Sequence, residues 1–250
     1  MTTSITRTRR RSTPFEAHFV ERHPHFAPIR RAASAFFACT DWPAVGDYGQ
    51  AFAGEPPVSF LETPPKPRRA RARTALDRSA LYDARIVAGV VPTRPRCWHD
   101  FSNALVWATF PRAKQSLHAR QHRAIEAWIP AGATRLPGAR SREMDALALL
   151  DEGGVVQVGD TPVVFGHALY EGAALLFAED GADALGASGP RRVVAREVLR
   201  LPAVADEPLE ARVQRVEAAL VALLESPEPL RPESFPQACS LFSGNSASEG

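Results

Sequence analysis

Apolar residues recur every three or four positions along several stretches of the chain, which is the spacing of one face of an α-helix. Pro111 suits the first position of one such helix, because a first-turn residue needs no intrahelical N–H partner. Ser226 and Pro227 are expected to end a second such helix, the one predicted over 209–224. The pattern therefore predicts helices over residues 15–26, 29–39, 76–88, 100–109, 111–128 and 209–224.

β-branched and apolar runs predict strands at 155–158 and 193–201, and residues 60–61 have the character of an edge strand. Residues 146–150 and 155–158 flank Asp151-Glu152-Gly153-Gly154, the spacing of a β-hairpin with a four-residue turn. Residues 163–177 begin as a strand or enter a helix through Gly166. The sequence thus predicts an α+β fold, in which a helical N-terminal half packs with a small antiparallel sheet or hairpin from the C-terminal half.

Composition supports one domain with two tails. The chain has 250 residues, of which 45% are hydrophobic and 23% charged, enough to bury a sizeable core. We expect a disordered basic tail at 1–14, a single globular domain at 15–226 and a loose, Pro/Ser/Gly-rich C-terminal tail at 227–250. The 3 cysteines are too few and too scattered for a disulfide scaffold.

Charge is unevenly distributed, although the net charge is only +2. Residues 1–123 carry 20 basic and 9 acidic side chains, and almost all the basic ones are arginine. This excess indicates either a coding bias towards arginine or a basic face for an anionic partner. No apolar run reaches the roughly 18 residues of a membrane helix, and no apolar region follows Arg9-Arg10-Arg11. We expect a cytoplasmic protein that does not bind membranes.

The middle of the chain contains a series of short motifs. They are Tyr82-Asp83-Ala84-Arg85-Ile86, Pro92-Thr93-Arg94, Trp98-His99-Asp100-Phe101, Asn103-Ala104-Leu105, Trp107, Phe110-Pro111, Lys114, Arg142, Asp145-Ala146-Leu147, Asp151-Glu152 with Gly154, and Phe165-Gly166-His167-Ala168-Leu169. With these motifs the chain resembles, over about residues 80–170, a bacterial family, the domain of unknown function 3025. The resemblance implies a shared fold and a shared set of polar residues, but no reaction, because the family has no assigned activity.

His99 precedes Asp100 and Asn103 where a helix is predicted to start. Asp100 has the character of an N-cap, and Asn103 could return a hydrogen bond to it. Capping does not account for His99. The alternative is a functional histidine, a general base or metal ligand that Asp100 or Asn103 orients.

Lys114, His118 and His122 repeat every four residues and so share one helix face. A solvated polar face is one interpretation, and a ligand-binding face is the other, although no glutamate stands where a zinc-protease helix carries its base. Lys114 lies one turn after Pro111, where it could meet an anionic group near a helix N-terminus.

Asp151 and Glu152 are either hairpin-turn residues or oxygen ligands for Mg²⁺ or Mn²⁺. Asp145, six residues earlier, would lie on the same face of a strand as Asp151. His167 stands among apolar residues as a hydrogen-bonded core histidine or as a ligand, and Gly166 allows a close backbone approach beside it. We predict that His99 and His167 reach the same pocket and that Trp98, Phe101, Leu105, Trp107 and Phe110 form the core of this segment.

Two functions follow. The first is a metal-assisted hydrolase acting on a small anionic, phosphate-containing substrate. Its catalytic residues would be His99, Asp100, Asn103, Lys114 and His167, its substrate-binding residues Arg94, Arg142 and His122, and its divalent-metal ligands Asp151 and Glu152. The second is a non-catalytic binding module whose arginine-rich face docks on nucleic acid or an acidic protein.

Overall fold

The computed structural model describes residues 14–63, 76–177 and 193–238, together with Leu241. The α-helices are α1 (Arg30–Ser34), α2 (Tyr82–Val87), α3 (Trp98–Thr109), α4 (Pro111–Trp128), α5 (Arg142–Gly153), α6 (His167–Phe177) and α7 (Leu209–Glu225). The strands are β1 (Ser59–Glu62), β2 (Val90–Thr93), β3 (Gly154–Val158), β4 (Thr161–Val164) and β5 (Arg196–Leu201). Short 3-10 helices cover Phe19–Glu21, Pro24–Ile29, Val45–Ala51, Arg78–Ala80 and Pro232–Ser234.

The helices pack with two small sheets, so the predicted α+β class is confirmed. One sheet joins β1 and β2 in parallel, and the other has the order β4-β3-β5. In the second sheet β3 is antiparallel to β4 but parallel to β5, so this sheet is mixed rather than purely antiparallel. The β1–β2 pair adds strands to the N-terminal half, where only an edge strand was expected.

Helix α3 runs through the core. Its residues Trp98, Phe101, Leu105 and Trp107, with Phe110 just beyond its end, are each at most 5% exposed, so the predicted core of this segment is confirmed. Aromatic rings from the N-terminal segment pack around Trp98 and Phe101 in edge-on and stacked contacts, which stabilise large apolar surfaces beyond simple burial. These rings are Phe15, Phe19, Phe36, Trp42 and Tyr48.

The predicted hairpin at Asp151-Glu152-Gly153-Gly154 is wrong, because these residues end helix α5 and begin β3. Ser141 caps the helix, its Oγ accepting a hydrogen bond from the Met144 N–H at 3.2 Å. The apolar positions 146, 147 and 150 fit a helical face as well as a strand, and the cap decides between them. Asp145 is exposed on this helix and does not share a strand face with Asp151.

The chain beyond α7 packs on the domain as far as residue 238. Leu230 and Phe235 are buried, and Ala238 N–H donates to Ala195 O at 2.9 Å beside strand β5. Residues 227–238 therefore contribute buried side chains and backbone hydrogen bonds to the packed structure. Apolar side chains of this Pro-rich stretch are buried although it contains only a short 3-10 helix.

The N-terminal helices are shorter than predicted. The expected helix over 29–39 reduces to α1, and that over 76–88 to a 3-10 turn and α2, with β2 following. The prolines at 24 and 28 favour 3-10 structure before α1, since a proline cannot donate the helical hydrogen bond. The tail at 1–13, the arginines at 68–73 and Cys239 lie outside the described residues. In the described parts of the chain, none of the helices combines the length and the apolar character needed to cross a membrane.

Candidate functional site

Three helix ends meet at one place. His99 lies in the first turn of α3, His167 is the first residue of α6, and Glu152 lies in the last turn of α5. The start of α6 approaches the end of α5 so closely that a Cβ at Gly166 would lie 2.5 Å from Glu152 O and 2.6 Å from the Gly153 Cα. Only glycine permits this contact, which brings His167 beside Glu152.

The two imidazoles approach each other through their Nε2 atoms. Nε2 of His99 and Nε2 of His167 lie 3.0 Å apart, with ring centroids separated by 4.5 Å. Glu152 Oε1 lies 4.0 Å from His99 Nε2, and Oε2 lies 3.8 Å from His167 Nε2. One ligand atom from each of the three residues falls within 4.8 Å of the others. The predicted convergence of the two histidines is therefore confirmed, although 68 residues separate them.

A carboxylate lies behind each imidazole. His99 Nδ1–H donates to Glu171 Oε2 at 3.0 Å, and His167 Nδ1 lies 3.4 Å from Asp151 Oδ1. Carboxylates in this position fix the tautomer and the orientation of metal-binding histidines. Burial lowers the pKa of His99, but the hydrogen bond to Glu171 and the nearby charge of Glu152 more than offset it, so the pKa lies above its ordinary value.

Lys114 contacts the cluster indirectly, through Asp151. Its side chain is fully buried, and Nζ donates to Asp151 Oδ1 at 2.5 Å. Burial raises the pKa of Asp151, but the charges of Lys114 and His167 outweigh it and hold the pKa well below its usual range. Lys114 thus holds the carboxylate that faces His167, and it is not accessible to an anionic substrate.

The two predicted substrate-binding arginines are each bonded to a carboxylate. Arg94 binds Asp100 through its backbone N–H and its guanidinium, whose Nη2 lies 2.6 Å from Asp100 Oδ1. Arg142 pairs with Glu233 at the start of α5. Neither guanidinium is free beside the histidine pair.

The remaining predicted residues lie on α3 and α4. Asp100 accepts hydrogen bonds from Arg94 and does not cap α3, since the N-cap is Cys97, without a side-chain cap bond. The capping interpretation is therefore wrong. Asn103 is buried and its Oδ1 has no partner within the described residues. His122 is half-buried on α4 and is not part of the histidine–glutamate cluster.

Glu171 is a residue of the site that the sequence pattern did not indicate. It lies four residues after His167 on α6, so the two side chains occupy neighbouring positions on one helix face. A histidine with an acid at that spacing was the available signal. No sequence spacing indicates that Glu171 binds His99 rather than His167, because that pairing depends on how α3 and α6 pack.

A second buried histidine lies one turn after Lys114. His118 stacks on Trp107 with an interplanar angle of 4°, and its Nδ1 lies 3.1 Å from Asp83 Oδ1. Burial lowers the pKa of His118 despite the hydrogen bond to Asp83. The predicted helical face of Lys114 and His118 is therefore buried, and it anchors α2 and α5 to α4.

A groove of about 510 Å³ opens beside the cluster, between α2, α4, α5 and the loop that joins α4 to α5. Asp151 and Glu152 line one end of it. Its other walls are largely apolar, and they are formed by Tyr82, Asp83, Gln121, Ile125, Trp128, Leu136, Pro137, Gly138, Ala139, Arg140, Met144 and Ala148. Glu152 therefore belongs both to the His99–His167–Glu152 cluster and to the lining of the groove.

The fold and this site define an α+β protein with a partly solvent-accessible His–His–Glu cluster. Residues 70–162 match the model of the family described as protein of unknown function (DUF3025), which confirms the resemblance. The match includes His99, Lys114, Asp151 and Glu152, and it ends before His167. No curated protein and no solved structure matches the chain.

Proposed function

We propose that the chain is a metal-assisted hydrolase whose divalent ion is bound by His99, His167 and Glu152. The observation that carries this proposal is the approach of the two imidazoles, Nε2 to Nε2, at 3.0 Å. Two nitrogen ligands that bind one zinc at about 2.0–2.1 Å in tetrahedral geometry lie roughly 3.3 Å apart. The observed separation is close to that value.

The tautomers of the two histidines strengthen the argument. A neutral imidazole has one N–H donor and one acceptor nitrogen, and a carboxylate can only accept. Glu171 accepts a hydrogen bond from Nδ1 of His99, so that ring carries its proton on Nδ1. Nδ1 of His167 lies 3.4 Å from Asp151 Oδ1 without a hydrogen bond. Where Nδ1 of His167 also carries its proton, both Nε2 atoms direct lone pairs at each other, which is repulsive unless a cation lies between them. A metal ion or a shared proton satisfies this arrangement.

Three protein ligands leave a coordination position open, which is typical of catalytic rather than structural metal sites. The side chains of His99 and Glu152 are 27% and 42% exposed, so water reaches the cluster. A bound divalent ion supplies a water of lowered pKa and polarises the bond under attack. Two histidines and one carboxylate suit Zn²⁺ and also Fe²⁺.

Hydrolysis is favoured over the arginine-face binding module because the described arginines of the N-terminal half mostly pair with carboxylates. An open basic face needs guanidiniums free to contact phosphate. The ion pairs are Arg22–Glu16, Arg30–Glu21, Arg78–Glu126, Arg94–Asp100, Arg96–Asp41, Arg112–Glu217 and Arg120–Glu143. The same pairing removes Lys114, Arg94 and Arg142 as support for a phosphate-specific substrate.

Metal analysis of the purified, untagged chain tests the proposal. We expect about one equivalent of zinc, iron or manganese, or stoichiometric binding of added Zn²⁺ or Co²⁺ measured by calorimetry. His99→Ala, His167→Ala and Glu152→Gln should each weaken binding at least 100-fold. Glu171→Gln should weaken it about 10–100-fold, the usual effect of losing a carboxylate behind a histidine ligand.

His18→Ala is the matched control, since His18 is a half-exposed histidine outside the cluster. Its metal affinity should equal that of the unmodified chain. A hydrolase panel of carboxylic and phosphate esters follows with the metal-loaded protein. If the chain and its His99→Ala variant bind Zn²⁺ equally weakly, a shared proton joins the imidazoles and the metal proposal is wrong.

A further inference from the structure

Three exposed apolar side chains are concentrated in the groove beside the cluster. Tyr82, Trp128 and Leu136 are 47%, 43% and 44% exposed, and they belong to a small set of large apolar residues exposed in the described chain. Single exposed apolar residues need no explanation, but several around one cavity are typical of a binding site.

The groove is held open by polar contacts in its walls. Trp128 Nε1–H donates to Ala139 O at 2.9 Å, which fixes the indole against the α4–α5 loop. Arg78 donates to Ile129 O and Pro130 O, each at 3.2 Å, and these bonds hold the chain where α4 ends. The cavity is therefore preformed, as small-molecule sites usually are.

The groove leads away from the cluster along α5. Helices α4 and α5 run antiparallel, as the pairs Lys114–Asp151 and Arg120–Glu143 show. Met144 lies eight residues before Glu152, which corresponds to about 12 Å along the helix axis. A molecule whose reacting bond lies at the cluster can thus extend one arm of about this length towards Trp128.

The charges at the near end disfavour an anionic group there. Asp151 and Glu152 line that end, and the buried Lys114 is bonded to Asp151. The cation of the lining, Arg140, lies in the α4–α5 loop just before the start of α5, at the other end of that helix. A phosphate or carboxylate on the arm would meet like charge there, while an apolar arm would meet the side chains of Ile125, Met144 and Trp128 further along.

We infer that the groove binds the apolar acyl arm of the substrate, an ester or amide whose carbonyl lies at the His99–His167–Glu152 cluster. This inference rests on the proposed function, because the cluster provides the reacting end. Its 510 Å³ lies within the roughly 300–1,000 Å³ of ordinary ligand pockets. The substrate class is therefore a medium-chain acyl compound rather than a compact phosphate ester.

Binding of octanoate and acetate to the Zn²⁺-loaded full chain, measured by calorimetry, tests the inference. Both carry the carboxylate that a metal binds, and only octanoate has a chain to place in the groove. We expect octanoate to bind at least tenfold more tightly, equivalent to 1.4 kcal/mol.

The variant Met144→Asp places a charge on the groove wall. Met144 lies in the first turn of α5, where an acidic residue suits the helix dipole, so the variant should fold. We expect it to bind acetate and Zn²⁺ normally but to lose the preference for octanoate. The control Val204→Asp changes an exposed apolar residue outside the groove and should keep that preference.

Equal affinities for octanoate and acetate in the unmodified chain would overturn the inference while leaving the metal site intact. A preference that survives in Met144→Asp would overturn it as well. If the chain binds no Zn²⁺, the proposed function fails, and octanoate is titrated into the metal-free protein. Octanoate binding to the metal-free protein that is lost in Met144→Asp and kept in Val204→Asp would still support the apolar groove. If the metal-free protein does not bind octanoate, both the proposed function and the groove inference are overturned.

Discussion

Replacing Gly166 by alanine tests how the site is assembled. The added Cβ would lie 2.5 Å from Glu152 O and 2.6 Å from both Cα and N of Gly153. All three are backbone atoms at the end of α5, so no side-chain rotation relieves the contact. The start of α6 must move by about 1 Å to reach the roughly 3.5 Å at which such atoms pack.

Both stability and metal affinity should respond. Overpacking of this kind costs about 1–3 kcal/mol in the free energy of unfolding. The neighbouring residue His167 moves with the backbone, and a shift of about 1 Å exceeds the roughly 0.2 Å tolerance of metal–ligand distances. We therefore expect Gly166→Ala to weaken Zn²⁺ binding at least tenfold.

Gly172→Ala on the same helix is the matched control. A Cβ at Gly172 meets nothing within 4 Å, so alanine there should stabilise α6 by about 0.5–1 kcal/mol. Urea unfolding in the presence of a chelator measures stability, and calorimetry measures metal affinity. If Gly166→Ala unfolds like the unmodified chain and binds Zn²⁺ equally well, the close approach of α5 and α6 does not position His167.

Three substitutions test the buried polar and aromatic contacts, each by urea unfolding. Lys114→Met should lower the free energy of unfolding by about 3–5 kcal/mol, because it leaves the Asp151 carboxylate without its buried partner. Combining Lys114→Met with Asp151→Leu should recover much of that loss. A cost below about 1 kcal/mol for the single variant would contradict the burial of the pair. Trp107→Ala should cost about 3–5 kcal/mol through the cavity left beside His118, and a near-neutral result would mean that Trp107 is exposed. Arg120→Met should cost about 3–5 kcal/mol, because Glu143 and the carbonyls after α7 lose their donor. The control Arg200→Met breaks an exposed ion pair and should change stability by about 0–1 kcal/mol.

Local sequence determined the longest helices. Pro111 and an unbroken polar–apolar period place α4 at Pro111–Trp128, as predicted, and the spacing of apolar residues defines α7 to within one residue. The buried face of α3 also follows from its periodicity and aromatic content. These features depend on interactions within one or two helical turns, which a sequence pattern represents directly.

Neighbouring segments decided the elements that the pattern left ambiguous. The apolar run before Asp151 fits a strand or a helix, and the Ser141 cap with the packing of α5 against α4 and α6 selects the helix. Strand β2 exists because β1 pairs with it in parallel, a contact between residues 31 positions apart, such as Ser59 and Val90. Strand pairing of this kind is non-local, so the sequence of β2 alone does not indicate it.

The candidate site divides in the same way. The sequence alone singled out His99, His167 and Glu152, because a histidine beside helix-start residues, a histidine beside glycine and an acidic pair are each chemically informative. Only the tertiary structure turned the two Nε2 atoms towards each other, placed Glu171 behind His99 and buried Lys114 under Asp151. Local patterns specify which side chains are present on a helix end. Which of them meet is decided by helix packing across separations of up to 72 residues, here dependent on one glycine contact between α5 and α6.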